Sequence, residues 1–124
     1  MSILIADDEL VTLETIAFTL QAEGFDVITA CDGKKALEII NDEDKKIDLV
    51  ISDIMMPNVS GLGLLATLHH RYGNKLPVIF ISALDHGHLI SSLSIGTTEF
   101  IGKPLDFDEL VSRVKKLTAV ARPS

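Results

Sequence analysis

Short apolar runs alternate with longer amphipathic stretches from one end of this chain to the other, and four of the runs end in polar residues. Ile3-Leu4-Ile5-Ala6 leads into Asp7 and Asp8, and Leu49-Val50-Ile51-Ser52 into Asp53. Val78-Ile79-Phe80-Ile81 leads into Ser82, and Phe100-Ile101-Gly102 into Lys103-Pro104. Runs this short and this continuously apolar read as strands buried on both faces. Their alternation with helical patterns points to an α/β fold, a doubly wound parallel sheet with helices on both sides. Right-handed crossovers bring every strand's C-terminal end to one edge. That edge is where open α/β sheets bind ligands. Asp7, Asp8, Asp53, Ser82 and Lys103 can therefore meet, although they lie far apart in sequence.

The elements follow from the pattern. The first strand is about 3–6, and the helix after it carries Leu13, Ile16, Ala17 and Leu20 at helical spacing. Gly24 stops that helix. A second strand spans 27–30, and Asp32-Gly33 turns into a short helix with Ala36, Leu37 and Ile40. Residues 42–46 form a charged, solvated loop. The third strand is 49–52. Pro57 to Gly61 reads as a loop in which Ser60 can cap the next helix, and that helix runs through Leu64, Leu65 and Leu68 to Gly73-Asn74. The fourth strand is 78–81, followed by a weaker helix over about 86–93. The fifth is 99–101. The last helix starts after Pro104, is capped by Asp106, and carries Leu110, Val111, Val114 and Leu117.

With 124 residues, 47% of them apolar, the chain can bury a core as one domain, centred on about 3–120. The formal net charge of -7 opposes a direct nucleic-acid or anionic-membrane role, since both need a basic patch. Cys31 is the only cysteine, so no internal disulfide can form, and a reducing compartment fits. We read it as a packing residue. The first residues resemble neither a signal nor a transit peptide, and no apolar run approaches the roughly 20 residues that span a bilayer. A cytoplasmic location is the expectation.

Three carboxylates, a hydroxyl and an ammonium at one edge suit a hard divalent cation and a phosphoryl group. Each residue also has a plainer reading. Asp53 alone would be a strand-end acid capping a turn, Ser82 a cap, Asp7 and Asp8 a solvated acidic turn, and Lys103 an inert surface lysine. Clustered carboxylates repel one another, so such a group takes up a cation or a proton. Glu9 is assigned no ligand role. His69-His70 lies near a helix C-terminus, where a cation is favourable. His86 and His88 are read as surface residues.

In this order, Ala6-Asp7-Asp8-Glu9, Asp53-Ile54-Met55-Met56-Pro57 with Gly61, Ser82-Ala83 and Lys103-Pro104 resemble the receiver domain of bacterial two-component response regulators. The resemblance runs from Ile3 to Leu117. It implies a flavodoxin-like five-stranded sheet in the order 2-1-3-4-5. It implies that Asp53 accepts a phosphoryl group from a sensor histidine kinase or a histidine phosphotransfer protein, in a domain that assists its own phosphorylation and is not an enzyme acting on an outside substrate. It implies Mg²⁺, with Mn²⁺ as a substitute, held by Asp8 and Asp53, by Asp7 through water, and by the backbone carbonyl of Met55. Ser82 and the Ala83 N–H would contact the phosphoryl group, and Lys103 would follow its charge. The Lys103-Pro104 peptide would be cis, where cis costs least.

By the same resemblance, Phe100 is an aromatic switch that moves inward when Ser82 shifts; the plainer reading is a core aromatic. The switched face would comprise the predicted helix over 86–93, the fifth strand and the last helix, facing an output domain or partner protein. Met55 and Leu84 flank the site at positions that tune hydrolysis. Neither can hydrogen-bond a water, so a long-lived phosphorylated state is expected. Thr97-Thr98 and the apolar Leu89, Ile90 and Leu93 depart from the charge-laced dimers of the family. Two other functions compete: an Mg²⁺-dependent phosphatase with an aspartyl nucleophile, and a receiver-like binding module that takes no phosphate. Adjacent acids after the first strand and the lack of a cap segment oppose the first; the full set of site residues opposes the second.

Overall fold

The computed structural model describes residues 2–42, 44–53, 61–72, 76–82, 98–102 and 104–121. The chain runs β1 (Ser2–Ala6), α1 (Leu10–Ala22), β2 (Asp26–Ala30), α2 (Gly33–Ile40), β3 (Leu49–Asp53), α3 (Gly61–Tyr72), β4 (Val78–Ser82), β5 (Thr98–Gly102) and α4 (Phe107–Ala121). The expected helix over 86–93 lies outside the described residues, as do the cap at Ser60 and the stop at Gly73-Asn74.

All strand pairs are parallel, in the order β2-β1-β3-β4-β5. Leu4 and Val50 point to one face with Phe80, packing with Leu64 and Leu68 of α3 and Ile39 and Ile40 of α2. Ile3, Ile5, Ile51, Ile79 and Ile81 point to the other, against Leu13, Ile16 and Leu20 of α1 and Leu110 and Val114 of α4. Alternation along each strand thus feeds two core layers at once. Ile39, outside the expected apolar set of α2, is buried with Ala36 and Ile40.

The helix ends follow local chemistry. Gly24 has φ 93°, Phe25 N–H donates to the Leu20 carbonyl at 3.2 Å and Gly24 N–H to Gln21 at 3.0 Å. This is a Schellman stop, and its left-handed residue suits glycine. Asp32 caps α2 by accepting from Lys35 N–H at 2.7 Å. Asp106 caps α4, accepting from Asp108 N–H at 3.0 Å and Glu109 N–H at 3.2 Å. Three strands are longer than expected at the functional edge: Asp53, Ser82 and Gly102 are the last residues of β3, β4 and β5 rather than residues beyond them. Ladder partners explain this, because Asp53 stands opposite Ile81 and Ser82 opposite Gly102.

Candidate metal and phosphoryl site

The acids converge because β1 and β3 are neighbours. Ala6 stands opposite Ser52, so the residues that follow, Asp7 and Asp53, emerge side by side at the C-terminal edge. Asp7 is buried at 1% exposure. Its N–H donates to Ala30 at 3.1 Å, tying it to the end of β2. Its Oδ1 accepts from Glu9 N–H at 2.9 Å, an Asx-type turn that starts the path into α1. Asp8 is exposed, whereas Asp53 is 8% exposed. One carboxylate oxygen from each of Asp7, Asp8 and Asp53 lies within 4.8 Å of the others.

That donor set fits Mg²⁺. The ligands are hard oxygens, and one exposed acid leaves room for the waters that this ion retains. Two buried anions and one exposed anion at this spacing repel strongly without a counter-charge. Ser82 reaches the same edge, one residue beyond the Asp53 partner Ile81. Phe100 is half-buried opposite Phe80 and packs on the layer containing it. Pro104 is exposed. Lys103, Met55, Ala83 and Leu84, and with Lys103 the isomer of the Lys103-Pro104 peptide, lie outside the described residues, as do His86 and His88.

Two readings need revision or addition. Cys31 is exposed, not packed: Ala30 is the last buried residue of edge strand β2, and the chain leaves the sheet immediately after it. Sequence periodicity also left the outer surface of α1 unread. Val11 is 75% exposed, Phe18 74% and Leu10 59%. Val11 and Thr15 line a groove with Pro104, Leu105 and Phe107, beside the acidic edge. The signal was available: Glu14 is the only charged residue among the thirteen of α1, and Leu10, Val11 and Phe18 lie off the stripe of Leu13, Ile16 and Leu20 that faces the core.

The response regulator receiver domain model matches residues 3–115. Among curated relatives, the response regulator GtcR of Aneurinibacillus migulanus is 39% identical over 115 residues, covering 92% of this chain and 46% of that protein. The chain spans about half the length of the curated relatives it matches. The structure of the Francisella response regulator 1452 receiver domain superposes with a TM-score of 0.86 at 35% identity, covering 98% of both chains. The response regulator protein TrrA from Thermotoga maritima, in complex with Mg²⁺-BeF, gives 0.81 at 34% identity, covering 94% of this chain and 97% of that one. Among the described residues no helix is long and apolar enough to cross a membrane.

Proposed function

The chain belongs to the response regulator receiver domain family of two-component signalling, and from that premise we propose that Asp53 is its phosphoacceptor. The observation that carries this reading is the meeting of the Asp7, Asp8 and Asp53 carboxylates within 4.8 Å at the sheet edge. Asp53 Oδ attacks phosphorus while the P–N bond of a donor phosphohistidine breaks. The imidazole leaves with that electron pair, and an acyl phosphate forms on Asp53. Asp8 and Asp53 would hold Mg²⁺ directly, Asp7 would help through water, and the Met55 backbone carbonyl would complete the protein ligands. When bound, the cation offsets negative charge on the transferring phosphoryl oxygens. The structure of TrrA in complex with Mg²⁺-BeF, on a chain 34% identical, supports the reading that a chain of this family takes Mg²⁺.

The remaining assignments rest on the same reading. Ser82 and the Ala83 N–H bind the phosphoryl oxygens, Lys103 pairs with them, and Phe100 follows Ser82 inward. The domain, with its core at about 3–120, works in the cytoplasm, assists its own phosphorylation, and passes the signal to an output domain or partner protein. The donor is a histidine kinase or phosphotransfer protein. Such a macromolecule must approach Asp53 from the sheet edge, where it meets the apolar groove of Val11, Thr15, Leu105 and Phe107 and the Phe18 surface beyond it. Burying those side chains supplies the contact.

Intact mass after incubation with an acyl phosphate donor and Mg²⁺ tests the acceptor. The native chain gains one phosphoryl group and Asp53→Asn gains none; labelling elsewhere overturns the assignment. With Met55 and Leu84 unable to hold a hydrolytic water, the label outlasts minutes in Mg²⁺ buffer. Decay within seconds contradicts that part alone.

A further inference from the structure

Ser52 is a hydroxyl in the middle of an apolar sheet. It is fully buried, in register between Ala6 of β1 and Phe80 of β4. A hydroxyl there costs free energy unless it is hydrogen-bonded, and an alanine or valine would avoid the cost. Its hydroxyl reaches the main chain of the acceptor: Ser52 Oγ donates to the Asp53 carbonyl at 2.9 Å. Asp53 is the last residue of β3, in register with Ile81 of β4 at the sheet edge. The Ser52 hydroxyl adds to the ladder a hold on the Asp53 main chain from within its own strand.

We propose that Ser52 is a positioning residue, whose buried hydroxyl fixes the main chain of Asp53 and so the aim of its carboxylate toward Asp7, Asp8 and the incoming phosphorus. Transfer to a carboxylate depends on alignment, and a displacement of about 1 Å can cost about 100-fold. A partial loosening costs less. The inference rests on the reading of Asp53 as acceptor.

The test compares Ser52→Ala, Ser52→Thr and Ser52→Val in the 124-residue chain. Thr and Val have nearly the same shape, so their difference isolates the hydroxyl. The readouts are the phosphorylation rate with acetyl phosphate at saturating donor and Mg²⁺, and Mg²⁺ affinity by calorimetry, both well below the unfolding temperature. The expected result is a rate about 10-fold lower and weaker Mg²⁺ binding for Ala and Val, with Thr retaining the native rate. A residue that merely stabilised the strand would lower the unfolding temperature and leave rate and metal affinity per folded molecule unchanged, which overturns the proposal. Equal loss in Thr and Val overturns it as well. If the larger side chains prevent folding, Ser52→Ala, which adds no volume, decides alone: a native rate refutes, a reduced rate supports. Asp53→Asn runs in parallel. Labelling that persists on it defeats the acceptor reading, whereas labelling lost on it but native in Ser52→Ala defeats only the role of Ser52.

Discussion

α1 and α4 pack side by side on the same face of the sheet and are built to different standards on their outer surfaces. Inside they are alike: Leu13, Ile16 and Leu20 on one, Leu110, Val114 and Leu117 on the other, all buried in one layer. Outside, α4 carries Asp108, Glu109, Arg113, Lys115 and Lys116, whereas α1 has Glu14 alone and leaves Val11 and Phe18 about three-quarters exposed. A helix that needs only to fold can cover its outer face with charge, as α4 does. The contrast fits the proposal that a phosphodonor protein covers the outer face of α1, which lies beside the acidic edge.

The largest effects lie on the shared inner layer and break the comparison if they differ. Leu110→Ala and Leu13→Ala each remove a buried side chain, and each should cost about 2–5 kcal/mol by denaturant unfolding. If one of them is silent, the two helices do not share a core. The next effect separates the outer faces. Phe18→Lys should leave unfolding within about 0.5 kcal/mol of native. It should slow phosphotransfer from a histidine donor protein by at least about 10-fold, which is about 1.4 kcal/mol, and leave labelling by acetyl phosphate unchanged. A native rate with the protein donor removes the functional reading of that face.

The helix starts give a smaller difference. Asp106 caps α4 through two N–H groups, whereas Glu9 precedes α1 with no side-chain cap bond. Asp106→Ala should cost about 1 kcal/mol, and Glu9→Ala distinctly less. Thermal unfolding of the two variants, read against the native chain, checks the order.

Most of this architecture was legible because it depends on period. The strands at 3–6, 49–52 and 78–81 are continuous apolar runs that only a doubly covered sheet explains, and their polar ends located Asp7, Asp8, Asp53 and Ser82 before any geometry was known. Less legible was anything set by a neighbour in space. Asp53 and Ser82 joined their strands because Ile81 and Gly102 stand opposite them. Cys31 became exposed because its strand is at the edge. The exposure of Phe18 and the hydroxyl bond of Ser52 required knowing which side of a helix or strand faces a partner, and an apolar or small residue does not announce that by type.

The smallest effect concerns the charged face itself. Arg113 of α4 reaches Glu99 of β5 at 2.5 Å and Glu109 one helical turn earlier at 3.2 Å. It is the described tie between the outer surface of α4 and the edge strand that carries Phe100. The geometry is close, but Arg113 is 37% and Glu99 25% exposed, so solvent screens much of the attraction. Arg113→Ala should therefore cost no more than about 1 kcal/mol, and less as salt is raised. Arg113→Lys should not restore the whole of it, since an ammonium cannot span both carboxylates as a guanidinium does. A loss of about 3 kcal/mol, insensitive to salt, would mean that this pair behaves as a buried one. The outer face of α4 would then be a structural seam, and its contrast with α1 would need to be redrawn.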